Sequence, residues 1–284
     1  MYKPNKGLSV SDPRRLYSAC YKEQAAGTDR WRNKLGKISV VVPTFNESEN
    51  VGNLVNQIDY ALRGIAYEVI FVDDSKDNTP EVIEEVMKEN PNVRMKHRVG
   101  ETGLATAVIE GFRMAEGDYI AVMDADLQHP PKILRSMYCC LETGIDFCVP
   151  SRFIPGGSDG GLGPYRKLVS GVARYIGKIL LPCLRKITDP TSGLFMFRRE
   201  VINNADLQPI GWKILIEVLA MGTYRTVVEI PYKFQARPAG ESKLTSKVTM
   251  EYLKQVRGLM KRGKKQKDVK VIRWSVERMK AAEK

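Results

Sequence analysis

The feature that most constrains the fold is an alternation of strand-like and helix-like segments between residues 38 and 123. I-S-V-V-V-P at 38–43 is a short β-branched run stopped by proline, the pattern of a strand buried on both faces. Residues 68–73 (E-V-I-F-V-D), 93–98 and 118–123 repeat it. Between the first two, Val51, Leu54, Val55, Ile58, Ala61 and Leu62 recur at helical spacing, and Asn46 with Glu49 stands where a capping box would open that helix. Residues 80–90, with Pro80 near the first turn, and 102–115 are the next expected helices. Such alternation specifies βαβ units, hence an α/β fold with a mostly parallel sheet and helices on both faces.

After Pro150 the texture changes. Residues 155–164 form a glycine-rich connection, and 165–186 are basic and amphipathic. Residues 194–197 and 226–230 are strand-like, 212–221 helix-like, and a lysine-rich helical tail is expected beyond them. The net charge of +12 follows this division, with +5 in residues 1–36, −2 in 37–244 and +9 in 245–284. The expected organisation is therefore a basic N-terminal extension (1–36), one nearly neutral domain (37–244) and a basic tail (245–284). A neutral body with cationic ends argues against a nucleic-acid-binding core and leaves the ends for a membrane surface, RNA or water.

The most apolar stretch, 168–184, is interrupted by Arg174 and Lys178 and closed by Pro182, whereas a spanning helix needs ~20 mostly apolar residues. No transmembrane helix or signal peptide is expected, and the chain is placed in the cytoplasm. Cys20, Cys139, Cys140, Cys148 and Cys183 include no C-x-x-C pair and read as buried thiols. With only His97 and His129 available, a multi-histidine metal centre is excluded.

Open α/β sheets bind ligands beyond the carboxyl ends of their strands, so the residues there come first. They are acidic: Asn46 and Glu47 follow the first strand, Asp73 and Asp74 end the second, and D-A-D-L-Q-H (124–129) follows the fourth. Carboxylates converging on one edge repel each other unless a cation joins them, and a divalent metal with oxygen ligands is the economical solution. The alternative is that these aspartates cap helices and turns. A P-loop and a G-x-G-x-x-G turn are both missing. The first turn, P-T-F-N-E (43–47), instead offers an aromatic face and a carboxylate, which suits a nucleobase and ribose. A diphosphate would then be met by Arg152, Lys213, Arg237, Lys243 and the metal.

Seven segments in order, V-V-P-T-F-N-E (41–47), F-V-D-D-S-K-D-N-T (71–79), G-L-A-T-A-V-I-E-G-F (103–112), M-D-A-D-L-Q-H-P-P (123–131), S-R-F (151–153), D-P-T-S-G-L-F (189–195) and R-P-A-G-E-S-K-L (237–244), carry a resemblance. Over residues 37–244 the chain resembles family 2 glycosyltransferases of the dolichol-phosphate mannose synthase and polyprenyl-phosphate glycosyltransferase type. The resemblance implies a GT-A fold and inverting transfer of a hexose, first of all mannose from GDP-mannose, to a polyprenyl or dolichyl phosphate. It further implies that Pro43, Phe45, Glu47, Val72 and Asp74 form the nucleoside pocket, Phe45 standing where tyrosine is more usual. Asp124 and Ala125 would contact ribose and sugar phosphate. Asp126 and Gln128, together with Asp124, would hold Mg²⁺ or Mn²⁺. Arg152, Lys213, Arg237 and Lys243 would contact donor diphosphate or acceptor phosphate, and Asp189 would position acceptor or sugar, or simply make a turn. Asp126, Arg152 and Asp189 are thus the expected catalytic set.

A phosphate monoester has a second pKa near ~6 and is already a nucleophilic oxyanion at neutral pH, so no strong general base is required. A lipid acceptor demands access to a bilayer. Leu168, Val172, Ile176 and Ile179 with Arg174 and Lys178, and Leu253, Val256, Leu259 and Met260 with their flanking lysines, are candidate interfacial helices; packing on the core is the alternative. Peripheral association with an anionic membrane surface, or a membrane-spanning partner subunit, is expected to localise the chain. Rival readings are a UDP-sugar donor, a saccharide acceptor, or a silent membrane- or RNA-binding scaffold. Processive polysaccharide synthesis is disfavoured, because Lys270 replaces the glutamine of Q-x-x-R-W before Arg273-Trp274.

Overall fold

A computed structural model describes residues 36–161, 164–235, 246–263, 268–275 and 279. In chain order the elements are β1 (Ile38–Thr44), α1 (Ser48–Leu62), β2 (Tyr67–Asp73), α2 (Thr79–Glu89), β3 (Val93–His97), α3 (Leu104–Met114), β4 (Tyr119–Val122), α4 (Ile133–Glu142) and β5 (Phe147–Ser151). There follow α5 (Pro164–Leu180), β6 (Phe195–Arg198), α6 (Ile214–Met221), β7 (Thr226–Pro231), α7 (Ser246–Arg262) and β8 (Lys270–Arg273). The strands form one sheet in the order β3-β2-β1-β4-β6-β5-β7-β8.

The β-branched runs form strands because both faces are covered. Along β1, Ile38, Val40 and Val42 belong to one apolar cluster and Val41 to the other; β2 divides Val69 and Phe71 from Ile70 and Val72 in the same way. This is the period of two that sends successive side chains to opposite faces. The first cluster is roofed by α1 and α4, the second by α3, α6 and the inner faces of α5 and α7. The contact of α3 with β1 is very close: a Cβ on Gly111 would lie 2.2 Å from Val41 Cγ1, so only glycine fits there.

β6 alone runs antiparallel, to both β4 and β5; every other pairing in the sheet is parallel. Its reversal has a consequence for chemistry. The start of β6 lies at the edge where the parallel strands end, which puts D-P-T-S-G (189–193) beside the residues following β1, β2, β4, β5 and β7.

Three local expectations change. Asn46 is not a helix cap: its φ is 56°, and its Oδ1 accepts from the Lys76 N–H at 3.0 Å. α1 starts from Glu47 without a side-chain cap bond. Asparagine tolerates this left-handed turn, and here it ties the turn after β1 to the turn after β2. Second, the stretch beyond 244 is not wholly helical, since β8 pairs in parallel with β7 and Trp274 is buried. Third, half of the apolar face expected on α7 is core: Val256 and Leu259 are buried, while Leu253 and Met260 are exposed. On α5, Val172, Tyr175 and Ile179 are exposed along one stripe. Among the described residues no helix is long and apolar enough to cross a membrane. Cys139, Cys140 and Cys148 are buried free thiols and Cys183 is partly buried; Cys20 and residues 1–35 lie outside the described residues.

Candidate active site

A cavity of about 680 Å³ opens at the carboxyl edge of the sheet, a volume typical of small-ligand pockets. Its walls include Pro43, Phe45 and Glu47 after β1, Asp74 after β2, and Asp124, Ala125 and Asp126 after β4. Seven residues expected from sequence are thereby brought together. Val72 is not on the wall; it is wholly buried in β2, behind Asp74. Sequence reasoning gave no role to the other walls, which are Thr44 at the end of β1, Thr102–Ala107 at the start of α3, Pro209–Trp212 before α6, and Glu251 on α7. Residues 103–107 were visible as a motif; the last two groups come from distant chain and carry no local signal.

The acidic edge is largely neutralised from within. Asp73 is fully buried, accepts from Ser75 N and Oγ at 3.1 and 2.6 Å, and faces His97 Nδ1 at 2.7 Å. Asp74 is gripped by Arg98, with Nε to Oδ1 at 2.7 Å and an NH2 nitrogen to Oδ2 at 2.6 Å. Arg98 donates its remaining hydrogens to Thr106 Oγ1, the Gly103 carbonyl and Glu101 Oε2, and Gly103 N–H returns to Asp74 Oδ2 at 2.9 Å. Asp74 is therefore held rigidly, and so is the loop forming the cavity wall. Arg98 was missed because a lone arginine at a strand end has no motif.

The D-x-D turn is built differently. Leu127 has φ 57°, which folds the chain so that Asp126 Oδ1 accepts from Gln128 N at 3.1 Å. The Gln128 side-chain amide donates to the Gln235 carbonyl at 3.2 Å. Asp124 faces His129 Nε2 at 3.5 Å, and the buried imidazole stacks on Tyr232 and meets the edge of Phe234. A Cβ on Gly193 would lie 2.2 Å from Asp124 Oδ2, so the glycine of D-P-T-S-G is what admits the Asp124 carboxylate.

Two cations stand beyond this turn. Arg152, directly after β5, donates Nε and an NH2 nitrogen to Asp189 at 2.7 and 2.9 Å, and its backbone N–H also reaches Asp189 Oδ2 at 3.4 Å. Asp189 is fully buried. Burial alone would lower the arginine's pKa, but the hydrogen bond and charge of Asp189 outweigh it and raise it. The side-on pairing uses one edge of the guanidinium and leaves NH1 outside it. Lys213 Nζ donates to the Thr191 carbonyl at 3.3 Å. Burial, then the charge of Arg152, push its pKa below the ordinary lysine value, against the opposing pull of Asp124 and Asp189. Arg152 and Lys213 thus repel each other, while Asp124 and Asp189 favour the charged lysine. Arg237 and Lys243 lie outside the described residues.

Known proteins provide an independent comparison. A model of glycosyl transferase family 2 matches residues 39–205. A dolichol-phosphate mannosyltransferase of Pyrococcus furiosus is 46% identical over 226 residues, covering 79% of this chain and 64% of that protein. The chain thus spans less than two thirds of that relative's length. A dolichol-phosphate mannosyltransferase of Saccharomyces cerevisiae is 34% identical, covering 78% of this chain and 86% of that one. A polyprenol monophosphomannose synthase of Mycolicibacterium smegmatis is 32% identical, with 79% and 87% covered. Among solved structures, glucosyl-3-phosphoglycerate synthase of Mycobacterium tuberculosis in complex with Mn²⁺, UDP-glucose and phosphoglyceric acid aligns with a TM-score of 0.63 at 16% identity, over 93% of this chain and 87% of that one. At that identity the likeness speaks for the fold alone, and it bears out the expected GT-A architecture.

Proposed function

The chain belongs to glycosyl transferase family 2, and on that footing we propose that it transfers mannose from GDP-mannose to a polyprenyl phosphate at a membrane surface. The observation carrying this reading is the division of charge along one sheet edge. A carboxylate-lined cavity adjoins two cations: Arg152, whose pairing with Asp189 leaves NH1 outside it, and Lys213, whose amine donates to a backbone carbonyl. A nucleoside diphosphate sugar fits the first part and a phosphate monoester the second.

The donor set Asp124, Asp126 and Gln128 is all oxygen, suited to Mg²⁺ or Mn²⁺ rather than a softer metal. Among the described residues no group of three or more His, Cys, Asp or Glu side chains is placed to form a full cage. Such an ion would supply electrostatic stabilisation of the departing nucleoside diphosphate. The chain's own residues do the rest. Phe45 and Asp74 bound the nucleoside, Arg98 keeps Asp74 fixed, and Arg152 with Lys213 holds the acceptor oxyanion in line behind the anomeric carbon. Because that oxygen is ionised near neutrality, no side chain need remove its proton.

The lipid end of the acceptor is served by α5. Its exposed Val172, Tyr175 and Ile179 are flanked by Arg174 and Lys178, and Arg174 lies 3.9 Å from the ring centre of Phe153, the residue after Arg152. An apolar stripe edged by cations is the chemistry of a helix lying on an anionic bilayer from the cytoplasmic side.

The test is transfer from a panel of labelled GDP-mannose, UDP-glucose and other sugar nucleotides to a short polyprenyl phosphate with Mn²⁺. Mannosyl lipid from GDP-mannose is expected, reduced about 10²- to 10³-fold in Asp126→Ala. No transfer from any donor, or undiminished transfer by that variant, overturns the reading. Flotation with anionic liposomes, weakened by Ile179→Asp, tests the membrane surface separately.

A further inference from the structure

We propose that the C-terminal strand β8 sets the position of Arg152, with Arg273 and Glu229 as positioning residues for the phosphate-binding cation. The inference rests on the reading of Arg152 given above. Glu229 lies in β7 with no exposed surface, and both its oxygens are engaged. Oε1 accepts from Thr188 N and Thr188 Oγ1, each at 2.6 Å, while Oε2 faces Arg273 Nε at 3.1 Å.

An ionised carboxylate only accepts, so the remaining proton directions follow. The Thr188 hydroxyl donates to Glu229; the Ser151 hydroxyl, 2.5 Å away, donates to Thr188; and Phe153 N–H donates to Ser151 Oγ at 3.1 Å. This network fastens residues 151 and 153 on either side of Arg152, and residue 188 beside Asp189. Both members of the Arg152–Asp189 pair are thereby set from Glu229.

Glu229 in turn depends on the last strand. Among the described residues Arg273 is the cation paired with it. Arg273 also donates to the Lys186 carbonyl at 2.7 Å, Lys186 Nζ donates to the Val269 carbonyl at 2.9 Å, and Trp274 N–H donates to the Glu229 carbonyl at 2.9 Å. β8 and the segment leading to Thr188 are therefore laced together from both directions. A buried carboxylate deprived of its counter-charge does not keep its geometry at low cost. Loss of Arg273 should loosen Thr188 and, through it, the pair.

Arg273 is half exposed, so its variants should fold even where Glu229→Gln does not. Initial rates with the full chain should show the acceptor KM raised about tenfold in Arg273→Ala, the donor KM unchanged, and partial recovery in Arg273→Lys, since a small misplacement of a binding group is enough to weaken it. An unchanged acceptor KM, or an equal rise in both constants, overturns the proposal. Nitrogen-15 NMR of the Arg152 Nε–H group gives a reading independent of activity. Its solvent exchange should be slow in the parent and faster in Arg273→Ala, and equal rates overturn the proposal. If the parent transfers sugar to no polyprenyl phosphate, the functional reading fails while the exchange rates still decide the relay.

Discussion

Two buried arginine–aspartate pairs stand at opposite ends of the site, nearly alike in geometry and opposed in what they present. In both, Nε and one NH2 nitrogen grip the two carboxylate oxygens, at 2.7 and 2.6 Å for Arg98–Asp74 and at 2.7 and 2.9 Å for Arg152–Asp189. Arg98 also bonds Thr106 and Gly103, so that arginine is closed off and its aspartate forms the cavity wall. In the second pair the aspartate is fully buried and the arginine keeps its NH1 outside the pairing. The same two side chains thus make a fixed acceptor in one half and a fixed donor in the other. Which member of a bidentate pair serves the ligand is decided by the neighbours that satisfy its partner.

The sharpest way to break this division is Arg152→Ala. It should lower kcat/KM for the acceptor about 10²- to 10³-fold in initial-rate measurements. It should also destabilise the fold by about 3–5 kcal/mol in urea denaturation, because Asp189 is left buried and unpaired. An equal loss in donor affinity would show that the two pairs do not act separately. Arg98→Ala should destabilise by a similar ~3–5 kcal/mol, yet weaken GDP binding in calorimetric titration and leave the acceptor KM alone.

A milder effect is expected at Lys213, whose pKa is pushed down by burial and Arg152. Only the protonated amine attracts an anion. Above the acceptor's own titration the acceptor KM should therefore rise with pH below the ordinary lysine range, the donor KM should stay flat, and Lys213→Met should remove that rise.

The smallest effect serves as a control away from the site. Burial alone would raise the pKa of Glu68, but the Ser39 hydroxyl, the Glu116 N–H, Lys37 and Arg94 outweigh it and hold the carboxyl below its ordinary value. Such a group contributes stability above its unfolded-state pKa and loses that contribution as pH falls through the folded value. Glu68→Gln should lower Tm at neutral pH, the difference should close in acid, and both KM values should be untouched.

The order β1 to β4 with its intervening helices was legible because each element announces itself within its own residues. α4 was not recognised: eight of its ten residues are buried, from Ile133 to Leu141, so the sequence shows no polar face and no period. β8 hid within a lysine-rich stretch because only Val271 and Ile272 mark it as a strand. The direction of β6 cannot be read from F-M-F-R at all, since parallel and antiparallel strands share one side-chain period. In the site, D-x-D was visible because its members are neighbours in sequence. The grip of Asp74 by Arg98 spans 24 residues, and that of Asp189 on Arg152 spans 37, so neither could be inferred from local pattern.

The reversed strand also governs the order in which the molecule can be completed. As the chain leaves the ribosome, β1 to β4 can pair among themselves, but β5 has no neighbour to pair with until β6 arrives to separate it from β4. β7 and then β8 follow, each added outside the strand made before it. Contacts of such long sequence separation make assembly slow. A nascent or truncated chain would accordingly carry the acidic turns after β1, β2 and β4 well before Asp189, Lys213 and the walls at 209–212 and 251 arrive to complete the site around them.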